Sequence, residues 1–231
     1  MLKPPKRQYR SELRAEQAQQ TRQRIVAAAE ALFADRGYGA TTIEAVAAAA
    51  RVSRKTVFDS VGGKVQLLKL AYDVAIVGDD EATPLRDRAE VAALRTETDA
   101  GLMLAGYAAL VTTVNRRIAG VWRALEGAAA SDPQAHRLHE ALIEQRRSAM
   151  REPATRLATL GALRTGLSER EAADLLWLLN DPSLYDKLVR QRGWSSARFQ
   201  EWLTESLLNN LLGASQMSTS SCGNPVTARP S

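Results

Sequence analysis

The sequence predicts an all-α protein in which a small N-terminal three-helix domain is joined to a larger helical one. Three observations carry that prediction. Of 231 residues, 45% are hydrophobic but only 5% aromatic, and Ala and Leu dominate the apolar set, whereas a sandwich or barrel draws on Val, Ile, Thr and aromatics. Apolar residues recur at helical spacing along most of the chain. Helix-start chemistry is also repeated: Asp132-Pro133 and Asp181-Pro182 each place a capping side chain before a proline, and Ser168-Glu169-Arg170-Glu171 has the capping-box form.

Taken in order, residues 1–17 hold Pro4, Pro5 and alternating charges and read as a flexible basic arm. Ile25, Ala28, Ala29, Leu32 and Phe33 then form one stripe of a helix over about 19–35, which Gly37 stops. Thr41-Thr42-Ile43-Glu44, a Thr followed three residues later by Glu, predicts a capping box and a short second helix with Ile43, Val46, Ala47 and Ala50 inside. Ser53 can cap a third helix through Arg54-Lys55-Thr56-Val57-Phe58, and a fourth runs from Lys64 towards Val77 after Gly62-Gly63. Residues 18–77 thus form the first domain. Residues 78–99, acidic and irregular with at most a short helix at 89–94, connect it to a body at 100–212. Helices are expected there at about 100–130, 133–160, 168–179, 182–192 and 195–212, and the Ser-, Gly- and Pro-rich 213–231 reads as a disordered tail.

The formal net charge of +5 conceals an asymmetry. Residues 1–65 hold 12 Lys and Arg against 6 Asp and Glu, and residues 66–231 hold 19 against 20. A basic first third beside a neutral body suits a polyanion, because clustered cations displace counterions from phosphates. The single cysteine, Cys222, can form no internal disulfide and fits a reducing cytoplasm. No apolar stretch follows the basic N-terminus as a secretory signal would require, and the longest uncharged apolar stretch, 101–114, falls short of the roughly 20 residues of a membrane span.

Two short helices joined by a turn, the second opening Ser53-Arg54-Lys55-Thr56, have the form of a helix-turn-helix. In such a unit the first helix crosses the phosphate backbone and the second enters the major groove of double-stranded DNA. Residues 21–70 resemble the N-terminal domain of the TetR family of transcriptional regulators. The likeness is carried by the apolar first helix, F-x-x-x-G-Y at 33–38, T-T-I-x-x-V-A at 41–47, V-S-x-x-T at 52–56 and the Lys64 helix start. A weaker likeness to one branch of the family covers Leu184-Tyr185 through Arg192-Gly193-Trp194 to Trp202. The resemblance implies DNA contacts at Thr42, Ser53, Arg54, Lys55, Thr56, Phe58 and Lys64, with the Thr42 hydroxyl and the Lys64 amide on phosphates. Where the family has Tyr, often His, then an aromatic and Phe, this chain has Phe58-Asp59-Ser60-Val61: one phosphate-binding hydroxyl is missing and Asp59 would repel DNA.

The resemblance further implies an effector-binding and dimerising body, hence a homodimer on a palindromic operator that a small molecule releases. Effector candidates on the first body helix are Met103, Tyr107, Val111, Trp122 and Leu125; dimer candidates are Leu175, Leu176, Leu179, Phe199, Trp202, Leu203, Leu207 and Leu211. Apolar pockets and apolar cores share this composition, so the same residues also read as core. His136 and His139 stand i, i+3, a spacing that permits a metal but equally a solvated face, and the solvated face is preferred. No cofactor, membrane partner or enzymatic activity is expected: there is neither a nucleophile elbow nor a Gly-rich phosphate loop. The rival reading is a helical module for a small molecule or partner with weakened or lost DNA binding.

Overall fold

The computed structural model describes residues 6–78 and 88–213, with side chains from residue 13 onward. Among these residues it is all-α, with eleven α-helices and an isolated antiparallel bridge between Leu163 and Leu212 instead of a strand. Predicted features of 1–5, 79–87 and 214–231, including most of the tail with Cys222, lie outside the described residues. The chain divides into two compact units that are discontinuous in sequence: Met1–Ala82 with Arg117–Leu142, and Thr83–Arg116 with Ile143–Ser231.

The first unit contains α1 (Lys6–Ala40), α2 (Ile43–Ala50), α3 (Arg54–Val61), α4 (Lys64–Val77), and parts of α6 (Ala100–Ala129) and α7 (Pro133–Ala149). α1 begins well inside the stretch expected as an arm, since the Arg-, Glu-, Gln- and Ala-rich segment from Arg14 to Arg24 has high intrinsic helix propensity. Gly37 (φ 74°, ψ 177°) kinks it in the left-handed region that glycine tolerates. The predicted capping box at Thr41 and Glu44 does not form. Thr41 is buried and its hydroxyl donates back to the Gly37 carbonyl at 2.7 Å, so Thr42 becomes the cap, accepting from the Ala45 N–H at 3.1 Å. The core joins Ile25, Phe33, Val46, Val57, Leu67 and Tyr72 from the first four helices with Ile118, Trp122 and Leu125 from α6.

Two arginines of α6 bind helix ends in this unit. Arg123 donates to the Ala34 carbonyl of α1 at 3.0 Å, and Arg117 donates to the Ile76 carbonyl of α4 at 2.7 Å, where orphan carbonyls of a last turn need donors. Tyr72 and Trp122 pack at a 5.8 Å ring separation, and His139 of α7 also packs on Trp122 at 5.1 Å.

The second unit contains α5 (Ala89–Thr96), the first half of α6, the end of α7, α8 (Arg151–Thr159), α9 (Glu169–Leu179), α10 (Pro182–Tyr185) and α11 (Ser196–Leu211). Residues 133–160, expected as one helix, are two, broken at Met150 just before Arg151-Glu152-Pro153, because a proline supplies no N–H to a continuing helix. α9 carries the predicted capping box, with Ser168 and Glu171 each bonding the other's backbone. Beyond α10 the chain winds as a π-helix over Asp186–Gln191, whose Asp186 carboxylate accepts from Gln191 at 2.8 Å and pairs with Arg190 at 3.4 Å. Met103, Leu104, Val111, Leu157, Leu176, Phe199, Leu203 and Leu207 form its core.

Candidate nucleic-acid interface

α2 and α3 are joined at Arg51, which takes a left-handed conformation (φ 56°) and is alone among non-glycine described residues in doing so. Its N–H donates to the Ala48 carbonyl and that of Val52 to the Ala47 carbonyl at 2.9 Å, so the turn satisfies the end of α2. Ser53 then caps α3, accepting from the Thr56 N–H at 3.0 Å, and the two hydroxyls lie 2.8 Å apart. Val57 and Val61 are buried, and this orients Arg54, Lys55, Phe58 and Asp59 outward on one exposed face. Behind α3, Arg22 of α1 donates to the Ser60 carbonyl at 2.6 Å.

The exposed face is internally charge-paired. Arg54 lies 3.1 Å from Glu44 of α2 and 5.4 Å from the Phe58 ring centroid, and Lys55 lies 2.6 Å from Asp59. Such exposed pairs are weak and are exchanged readily for phosphates. Phe58, 42% exposed, offers an apolar surface beside Arg54 suited to a thymine methyl.

Lys64 opens α4. The preceding Gly63 provides no side-chain cap, so the first-turn N–H groups lack a capping oxygen, an arrangement complementary to phosphate. The Lys64 ammonium sits 4.0 Å above the Tyr38 ring, and the Tyr38 hydroxyl donates to Asp132 at 2.7 Å. Partial burial draws the Lys64 pKa below its usual value, opposed by Asp132. The same Asp132 caps α7 through the Gln134 and Ala135 N–H groups, and the Tyr38 hydroxyl, followed by these two N–H groups, holds its carboxyl pKa below the ordinary value.

Thr42, Arg54, Lys55, Phe58 and Lys64 therefore belong to α2, α3 and the start of α4 in one unit, with Thr42 exposed at its cap. Ser53 and Thr56 use their hydroxyls on each other and on the cap. Residue order does not reveal Glu44 as Arg54's partner or Tyr38 as Lys64's support; only the Lys55–Asp59 pair had a signal, its i, i+4 spacing.

The effector candidates divide. Met103, Tyr107 and Val111 are buried in the second unit, whereas Trp122 and Leu125 belong to the core of the first, because the 30-residue α6 carries Met103 and Leu125 roughly 33 Å apart at 1.5 Å per residue. Of the dimer candidates, Leu176, Phe199, Leu203, Leu207 and Leu211 are buried within the single chain; Leu175, Leu179 and Trp202 are half-buried, and Leu178 is 54% exposed beside them. His136 is exposed and lies 3.3 Å from Glu140, while His139 packs on Trp122. Among the described residues no group of three His, Cys, Asp or Glu could hold a metal ion, and no helix is long and apolar enough to cross a membrane.

Two short helices held by a left-handed turn, with Arg54 and Lys55 on the exposed face of the second, form a helix-turn-helix unit of the kind found in DNA-binding regulators. Residues 25–71 match the family model of bacterial regulatory proteins, tetR family. No curated protein matches the chain. Among solved structures it is similar to native NalD of Pseudomonas aeruginosa, the secondary repressor of the MexAB-OprM multidrug efflux pump (21% identity, 84% of this chain and 98% of that one, TM-score 0.58). A putative transcriptional regulator from Saccharomonospora viridis in complex with choline is similar at 21% identity, 83% and 97% coverage and a TM-score of 0.62. A TetR transcriptional regulator from Chloroflexus aurantiacus matches at 18% identity, 85% and 98% coverage and a TM-score of 0.61. At these identities the likeness is one of fold.

Proposed function

We propose that this chain is a sequence-specific transcriptional repressor that binds a palindromic operator as a homodimer in the cytoplasm and leaves it when a small molecule binds. The observation that carries the reading is the outward face of α3, where Arg54, Lys55 and Phe58 stand together beside the uncapped start of α4. Arg54 and Lys55 exchange Glu44 and Asp59 for bases and phosphates, while Thr42 and the α4 N-terminus anchor the flanking backbone. Ser53 and Thr56 support the helix start more than they read DNA.

A dimer gives such a protein two recognition helices about 34–36 Å apart, matching one turn of DNA. The apolar surface that α9 and α11 offer for it is Leu175, Leu178, Leu179 and Trp202, since the remaining candidates already serve the subunit core. Ligand responsiveness is supported by two structures of similar fold, one of a protein described as a repressor and one of a putative regulator in complex with choline. Release requires a ligand that favours the conformation unable to seat both heads. The chain acts by binding, not by catalysis.

Selection of fragments from genomic DNA, followed by gel shift at physiological salt, tests the proposal. A salt-sensitive complex with a palindromic sequence is expected. Only weak, sequence-indifferent binding would favour the rival, a helical module whose Asp59 has cancelled the DNA contact of Lys55.

A further inference from the structure

The buried stripe of α6 in the second unit runs Leu104, Ala108, Val111 and then Asn115. Three of the four are apolar; the fourth is a carboxamide. Asn115 is 0% exposed, and neither its Nδ2 nor its Oδ1 has a hydrogen-bond partner among the described residues. Most buried side-chain amides are satisfied, and one left with both atoms unpaired requires an explanation. Neighbouring Thr112 shows how the helix settles such a group, since its hydroxyl donates to the Ala108 carbonyl at 2.8 Å.

Two turns earlier a second polar group is poorly matched. The buried Tyr107 hydroxyl donates to the Met150 thioether at 2.9 Å, and Asn180 Nδ2 reaches the same sulfur at 3.6 Å. Two good donors thus share one weak acceptor. Burial keeps the hydroxyl protonated by raising its pKa. The nearby Arg146 is electrically balanced, lying 3.7 Å from Asp181 and donating to the Asn180 carbonyl at 3.0 Å, so the surroundings recruit no anion.

We propose that this part of α6 is the effector site and that it takes an uncharged, largely apolar organic molecule bearing a carboxamide or lactam edge. Asn115 pairs with that edge, which presents the acceptor and donor its amide lacks. Tyr107 turns its hydroxyl from Met150 to a second acceptor about 12 Å along the molecule, the axial distance spanned by eight helical residues. The proposal rests on the ligand-responsive reading above and adds the ligand's chemistry to it.

Octanamide, octanoate and octylammonium, identical in chain and different in head group, are the probes. In thermal unfolding, octanamide should raise the midpoint of the wild-type protein by about 3 °C, with under about 1 °C from the two charged probes. Asn115→Leu should raise the unliganded midpoint, because the orphaned amide is gone, and should abolish the octanamide shift; Tyr107→Phe should halve it. An equal shift from all three probes, no shift from any, or a shift that survives in Asn115→Leu overturns the site. Gel shift of the selected operator in the same samples separates this from the regulatory reading: stabilisation by octanamide without DNA release supports the site and counts against ligand-controlled release.

Discussion

Tyr38 and Asp132, ninety-four positions apart, are joined by a 2.7 Å hydrogen bond from the phenol to the carboxylate. The bond ties the end of α1 to the cap of α7, and the Tyr38 ring supports the Lys64 ammonium at the start of α4. Lys64, the proposed phosphate anchor, and the α6–α7 turn are thereby two contacts apart. Tyr38→Phe keeps the ring and removes the bond, so it should lower the thermal midpoint slightly while leaving operator binding within about threefold. Tyr38→Leu, which also removes the support under Lys64, should weaken binding further. Equal effects of the two variants would show that the ring does not position Lys64.

Stability should depend on pH through the same carboxylate. Asp132 has a folded-state pKa below its ordinary 3.8, so its contribution is present above that value and is lost as pH falls through the lowered one. Urea denaturation of wild type and Asp132→Asn should differ at pH 7, and the two curves should converge as the pH falls below 3.8 and through the lowered value. A gap that persists undiminished at low pH would assign the effect to something other than the ionised cap.

Operator affinity should respond in opposite directions to changes on the face of α3. Arg54→Ala or Lys55→Ala should cost about 1–3 kcal/mol, and loss of a phosphate contact should reduce the salt slope by about one. Asp59→Asn releases Lys55 from its 2.6 Å pair and removes a like charge from the DNA surface, so affinity should rise several-fold. Gel shift across a salt series measures both effects, and weaker binding by Asp59→Asn would mean that the pair is needed to orient Lys55.

The cap of α3 supplies a stability prediction. Ser53→Ala removes the oxygen that receives the Thr56 N–H at 3.0 Å and should cost about 1 kcal/mol in chemical denaturation, with Ser53→Asp close to wild type.

At the other end of the head, Gly78 closes α4 with φ 82°, and an added Cβ would come within 1.9 Å of Arg117 Nη1. Gly78→Ala should therefore cost more than the roughly 1 kcal/mol of a left-handed alanine, because it also displaces the guanidinium that binds the Ile76 carbonyl. The double variant Gly78→Ala with Arg117→Ala should be less destabilised than the sum of the two single changes.

Much of the helical outline is written in local chemistry. Ser53, Ser168, Asp132 and Asp181 cap where their neighbours predict, and α6 and α11 begin and end within a residue or two of their apolar periods. These features act over one or two turns, so short stretches of sequence contain them. The helix-turn-helix was legible for the same reason: its caps, small residues and breaks lie within about fifty positions. Where two local solutions competed, packing chose. Thr41 and Thr42 could each cap α2, and burial of Thr41 against the Gly37 carbonyl left the role to Thr42.

What tertiary structure alone decided is which distant groups meet. Nothing in residue order assigns 117–142 to the unit containing the head, couples Tyr38 to Asp132, or reveals that Asn115 is buried with no hydrogen-bond partner among the described residues. An amphipathic stripe states that a face is covered but not by what, because hydrophobic burial is non-directional. The candidate stripe of α11 looked equally fit for core and interface, and only the folded chain shows Phe199, Leu203, Leu207 and Leu211 covered within the same chain. Local propensity thus set the helices, while the matching of buried surfaces and polar groups across the chain determined their partners.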